Sequence, residues 1–298
     1  MALAIVYVVW GSTYLAIRVA VGSMPPLLTA GVRFVVAAGI LAAALALRHG
    51  PGVLRLGPPE LRSTAVVGAL LLAGGNGGVM FAEQTVPSGL AALLIAAVPL
   101  WVVLLRARSG DPPGARTVVG VLVGLLGLAV LALPGSSTVA APLGVLTLLG
   151  AGLCWSSGSF LSGRMAMPAN PFVATVWQML AGGLLLLAIG AVRGELTRVD
   201  VGAIRPEGWW ALAYLVVFGS LVAFTAYVWL LHNARLSLVS TYAYVNPVVA
   251  VALGALILNE PVTLPILAGG AIVLLGVAVV VTTERPGARL VEETEPVA

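Results

Sequence analysis

Residues 236–260, LSLVSTYAYVNPVVAVALGALILNE, carry no charge before Glu260. The run is long enough to cross a bilayer, which takes ~20 mostly apolar residues. Pro247 sits in its interior. In a soluble helix such a proline costs roughly 3 kcal/mol or more, because it removes a hydrogen bond and its ring meets the preceding turn. Membrane helices tolerate the break where neighbours re-satisfy the freed carbonyl groups. At about 100° per residue, Ser237, Ser240, Thr241 and Tyr244 share one stripe, and Tyr242 and Asn246 fall on the opposite side. A polar stripe at bilayer depth must face protein or water, so this segment belongs inside a helical bundle.

Composition extends that conclusion to the whole chain. Sixty per cent of residues are hydrophobic, 9% are charged, and the mean hydropathy is +1.09, whereas soluble domains carry roughly 25% charged residues. All fifteen cationic residues are arginines, scattered singly between apolar runs. The net charge of +4 is therefore no nucleic-acid footprint, and the partners expected are a lipid bilayer and a small-molecule substrate. A single cysteine, Cys154, excludes an internal disulfide. From Met1 the chain runs straight into an apolar segment ending near Ala20, without a small-residue cleavage pattern. That start is compatible with a preceding cytoplasmic tail.

In order, the apolar segments are 2–20, 27–47, 64–84, 87–106, 115–133, 142–162, 172–192, 208–231, 236–258 and 263–282. Pro25-Pro26, the proline-bearing stretch 48–62, Asp111-Pro112-Pro113-Gly114, Pro134-Gly135 and Asn170-Pro171 separate them. Residues 284–298 hold Glu284, Glu292, Glu293 and Glu295 with two arginines and read as a disordered tail. With the N-terminus inside, ten arginines fall on the cytoplasmic side: 48, 55, 62, 106, 108, 116, 164, 235, 285 and 289. Arg18, Arg193, Arg198 and Arg205 lie outside, and Arg33 lies within a helix. This asymmetry obeys the positive-inside rule and puts both termini in the cytoplasm.

A faint internal repeat accompanies the segments. A shift of 145 residues lays Trp10 on Trp155 and Pro26 on Pro171; one of 148 lays Pro99 on Pro247; one of 149 lays Gly120 and Gly127 on Gly269 and Gly276. An odd number of helices per copy forces the copies into opposite membrane polarity, the usual plan of secondary transporters with a midplane site between the halves. The expected fold is thus an all-α integral membrane protein of ten transmembrane helices in two inverted five-helix repeats, 1–135 and 141–283.

Several stretches also resemble one family. WGSTYLAIR at 10–18, GVRF at 31–34, FAEQTVPSGLAALL at 81–94 and STYAYVNPVVAV at 240–251, followed by NEPVT at 259–263, are similar to the EamA family of drug/metabolite transporters, in its YedA-like branch. The resemblance covers nearly the whole chain. It implies a transporter of the inner or plasma membrane that moves small organic metabolites, often outward. One departure concerns the end of the fourth helix of each repeat, Asp111-Pro112-Pro113 in the first and Asn259-Glu260-Pro261 in the second. A Glu in one copy only argues against a shared transport element.

Candidate site residues follow from position along the helices. Trp10 and Tyr14, Trp155 and Ser159, and Ser240 and Tyr244 lie near mid-helix on aromatic or polar faces that lipid should not touch. Asn76, Met80 and Glu83 share one face of the third segment. Glu83 could receive a coupling proton or a substrate amine, or merely end a helix beside water. A structural ion pair between Arg33 and Glu83 is expected, and Glu260 reads as an interfacial helix-end residue. The glycines at 120, 124, 127, 269, 270 and 276 suit close helix packing. Such a site fits neutral or cationic amphiphiles, aromatic amino acids among them, better than phosphates. No Walker loop, HExxH, GxSxG or paired cysteine set is present, so no cofactor, metal or enzymatic activity is expected. The alternatives are uptake of a similar solute and, from another class, an integral-membrane enzyme or lipid scramblase.

Overall fold

A computed structural model describes residues 1–110, 113–132, 141–234, 239 and 242–283. Every regular element among these residues is helical. The membrane-length helices are α1 (Ala2–Val21), α2 (Pro26–His49), α3 (Pro58–Ala82), α4 (Ser88–Arg108), α6 (Pro142–Ser162), α7 (Pro171–Val192), α8 (Pro206–Asn233) and α10 (Leu264–Thr283). These eight are long and apolar enough to cross a membrane. α5 (Ala115–Ala132) and α9 (Tyr242–Leu258) are shorter apolar helices. The residues expected to begin the ninth segment fall largely outside the described ones, as does the 284–298 tail.

Local sequence explains the boundaries. Pro26, Pro58, Pro142, Pro171 and Pro206 open their helices, where the missing N–H costs nothing and φ is already helical. α3 starts well before the expected residue 64 because Glu60 reaches back to accept from the Gly57 N–H at 2.9 Å, carrying Pro58–Ser63 as a polar first turn-and-a-half. α4 breaks between Ile95 and Val98, one turn ahead of Pro99. α3 and α8 each contain a stretch of wide i→i+5 turns, at Ala69–Asn76 and Leu215–Phe224. Such turns inside α-helices concentrate at functional sites.

Glycine lets the helices approach. α5 and α10 meet so closely that a Cβ on Gly127 would stand 2.6 Å from the Val273 backbone nitrogen, and one on Gly120 would stand 3.0 Å from the Gly276 carbonyl. α2 and α7 cross at Gly31 and Gly183, each facing the other's carbonyl. In lipid this van der Waals fit replaces the hydrophobic drive available in water.

Two carboxylates from the second half of the chain seal helix starts in the first half. Glu195, buried in the short turn after α7, accepts from Leu27 N (3.0 Å) and Leu28 N (2.9 Å) at the start of α2. Glu260 follows Asn259, whose φ of 53° ends α9 in the left-handed conformation. It accepts from Ser88 N (2.8 Å), Ser88 Oγ (2.8 Å) and Gly89 N (3.2 Å) at the start of α4. A helix start offers unpaired N–H groups and a positive dipole end, and a carboxylate answers both. Glu260 is thus a helix-end residue, but it holds the start of a different helix.

Candidate functional site

The candidate site begins with four rings. Trp10 on α1, Trp155 on α6, Tyr227 on α8 and Tyr242 on α9 are all buried. Trp10 meets Tyr227 at 4.8 Å between centroids, Trp155 at 5.3 Å edge-on (83°) and Tyr242 at 5.5 Å edge-on (86°). Edge-to-face packing directs the positive ring edge at a negative ring face. Three other helices therefore converge on the indole of α1.

Hydrogen bonds fix the cluster. Trp155 Nε1–H donates to the Tyr227 hydroxyl at 3.2 Å. Ser159 Oγ donates to the Trp155 carbonyl at 2.8 Å. With its one proton so used, Ser159 can only accept the Tyr227 hydroxyl, 2.7 Å away. The result is a closed loop, Trp155 to Tyr227 to Ser159 and back to Trp155, in which each bond polarises the next. On the other side, Trp10 Nε1–H reaches the Gly219 carbonyl at 3.4 Å.

Beside the rings lies a cavity lined by Trp10, Thr13, Tyr14 and Ile17 of α1, Arg33 of α2, Gly75, Asn76 and Val79 of α3, Ile95 of α4, Ala151 and Trp155 of α6, and Tyr242 and Asn246 of α9. It offers about 50 Å³ to the centres of water molecules. That exceeds the room one water needs, ~10–15 Å³. It is far below the ~300–1,000 Å³ of sites that hold drug-sized ligands. A drug-sized solute would require the cavity to widen.

The expected residues divide as follows. Trp10, Tyr14, Asn76 and Trp155 line the cavity. Met80 does not; it is fully buried in the hydrophobic core, and Val79 takes the cavity face. Ser159 stands behind the wall and orients Tyr227 and, through it, Trp155. Ser240 lies outside the described residues, and so does the side chain of Tyr244. Glu83 is buried at the end of α3, away from the cavity lining. Its two carboxylate oxygens have no hydrogen-bond partner, while Arg18 donates to its backbone carbonyl.

The expected Arg33–Glu83 ion pair is absent. Arg33, 2% exposed, donates from Nε to Ser220 Oγ (2.8 Å) and from Nη1 to Asn76 Oδ1 (3.2 Å). Its guanidinium lies 4.7 Å from the Phe34 ring centroid. The physical reason is geometric: Gly219, bare of a Cβ, opens the α8 surface so that Nη2 can lie against it; an added Cβ would stand 2.7 Å away. Arg33 thereby ties the wide-turn stretch of α8 to the end of the one in α3. The residues missed from sequence are Arg33 as a cavity lining residue, Thr13, Tyr227, Tyr242 and Asn246. Tyr242 and Asn246 were visible as the second polar face of α9, one turn apart beside Pro247.

Comparisons with known proteins bear on the family and the fold. The model of the EamA-like transporter family matches residues 1–133 and again 142–282. The chain is similar to the "Uncharacterized inner membrane transporter YedA" of Escherichia coli (strain K12), at 41% identity over 255 residues, covering 85% of this chain and 80% of that protein. It is also similar to the "Uncharacterized transporter YvbV" of Bacillus subtilis (strain 168), at 25% identity over 295 residues, covering 95% and 91%. One solved crystal structure shares the fold with a TM-score of 0.68 at 22% identity, covering 95% of this chain and 99% of that one. The helices, the multi-pass membrane character and the relatives point one way: this chain belongs to the EamA-like transporter family.

Proposed function

We propose that the chain is a secondary transporter that exports small organic metabolites or drugs, amino-acid-like or amphiphilic, across the cytoplasmic membrane by alternating access. In this proposal α1–α10 all cross the bilayer as two inverted five-helix halves, 1–135 and 141–283, with both termini and the tail in the cytoplasm. The arginine asymmetry supports that orientation. The solute binds between the halves, against Trp10, Tyr14, Asn76 and Trp155.

The observation that carries the proposal is the small cavity walled by aromatic and polar groups from both halves. Lipid would demand apolar side chains at these positions, and a purely structural core would fill the space. Its small volume means that it must widen to load a solute, a change that alternating access supplies. Glu83 is the candidate carrier of a coupling proton, because its carboxylate oxygens are buried and have no hydrogen-bond partner.

Counterflow in proteoliposomes with labelled amino acids and cationic dyes tests the proposal. At least one solute should exchange in parent vesicles at a rate that Trp155→Ala lowers without changing monodispersity. Equal exchange by parent and variant for every accepted solute would refute the cavity as the site.

A further inference from the structure

Arg33 is a buried cation without an anion. Its hydrogen-bond partners, Ser220 and Asn76, are neutral, and among the described residues no carboxylate pairs with it. A guanidinium has five N–H donors and keeps its proton in proteins. Among the described residues, two of those donors are used. An unpaired charge held away from water is strongly unfavourable unless something answers it. Arg33 lines the cavity, so a solute there can supply the answer.

A second orphan lines the same space. Asn246 is 3% exposed, and its Oδ1 is buried with no partner. It therefore awaits a donor, just as Arg33 awaits an acceptor. The rings of Trp10, Trp155 and Tyr242 line the same cavity, and the Trp10 ring touches the other two.

Resting on the proposal that this cavity is the transport site, we propose that its solute is an organic carboxylate. The two carboxylate oxygens take guanidinium N–H groups left free on Arg33. A compact apolar or aromatic body lies against the Trp10, Trp155 and Tyr242 rings, and an ammonium or hydroxyl donor on the solute meets Asn246 Oδ1. One guanidinium matches a monoanion, whereas phosphates draw several converging arginines. A cationic amphiphile would meet the like charge of Arg33 in a poorly hydrated space, where repulsion is weakly screened. Of the class suggested by sequence, neutral or cationic amphiphiles with aromatic amino acids among them, this proposal keeps the members that bear a carboxylate.

Three probes of one shape separate the possibilities: 3-phenylpropionate, 3-phenylpropionamide and 3-phenylpropylamine, titrated calorimetrically into the purified full chain in detergent. The carboxylate should bind at least about tenfold more tightly than the amide, the size of one charge-assisted hydrogen-bond pair, and the amine should bind most weakly. Arg33→Gln should abolish the preference, and Arg33→Lys, which keeps the charge and guards against a folding defect, should retain part of it. Asn246→Leu should weaken phenylalanine while sparing 3-phenylpropionate. Equal binding of carboxylate and amide, or a preference that survives Arg33→Gln, overturns the carboxylate assignment and leaves the cavity's transport role standing. Binding of none of the probes overturns the assignment too, and the counterflow experiment then decides the transport role separately.

Discussion

Replacing Glu260 by alanine removes three contacts at once from the start of α4: Ser88 N at 2.8 Å, Ser88 Oγ at 2.8 Å and Gly89 N at 3.2 Å. Fully buried hydrogen bonds to a charged acceptor are worth ~1.5–3 kcal/mol each. Glu260 is half-buried, so water replaces part of that, and losing a helix cap alone costs ~0.5–2 kcal/mol. A net destabilisation of about 2–3 kcal/mol is expected. Ser88→Ala keeps both backbone donors and loses one hydroxyl, so it should cost about 1 kcal/mol. Cys154, the sole thiol, reports unfolding through a fluorogenic maleimide during a heating ramp in detergent. At ~2–4 °C per kcal/mol, Glu260→Ala should melt about 4–12 °C early, and Ser88→Ala about 2–4 °C early. The double variant should fall short of the sum, because the hydroxyl contact is counted in both. A Glu260→Ala midpoint within about 1 °C of the parent, or Ser88→Ala shifts as large as those of Glu260→Ala, would refute the capping role.

Ser159→Ala breaks the loop that orients Tyr227 and Trp155; transport should fall with little change in thermal midpoint, whereas a purely structural serine would move the midpoint instead. Gly127→Val forces a branched side chain into the α5–α10 contact, where even a Cβ would stand 2.6 Å from backbone; overpacking of ~1–3 kcal/mol should lower the yield of monodisperse protein by size exclusion. Glu83→Gln should fold normally and flatten the pH dependence of counterflow; an unchanged pH profile would remove Glu83 from any proton-carrying role. In a Cys154→Ser background, a cysteine at Arg198 should react with an impermeant thiol reagent in intact cells and one at Arg55 should not; the opposite pattern would invert the proposed orientation.

Much of the architecture was legible because membrane helices announce themselves by length and composition. The Trp10–Trp155 pairing came from a 145-residue offset, and the two rings do meet at 5.3 Å. What sequence could not give was which face of α8 mattered. Leu215–Phe224 reads as almost uniformly apolar, and Ser220 is its only hydroxyl. A stretch of i→i+5 turns also takes more residues per turn, so faces projected at the α-helical advance drift across it. Tyr227 lies just beyond that stretch, and its contact with Ser159 was therefore invisible. The Arg33–Glu83 expectation failed for a related reason. Opposite charges of similar membrane depth attract attention in a sequence, while two neutral partners and a glycine gap do not.

The two helix-capping carboxylates also bear on how the molecule is made. Glu195 and Glu260 close α2 and α4 from positions 167 and 172 residues further along the chain. A ribosome finishes α2 and α4 long before either carboxylate is made, so their first N–H groups gain these partners only after later parts of the chain exist. A chain ending before residue 260 would lack the carboxylate that answers the Ser88 and Gly89 N–H groups at the start of α4.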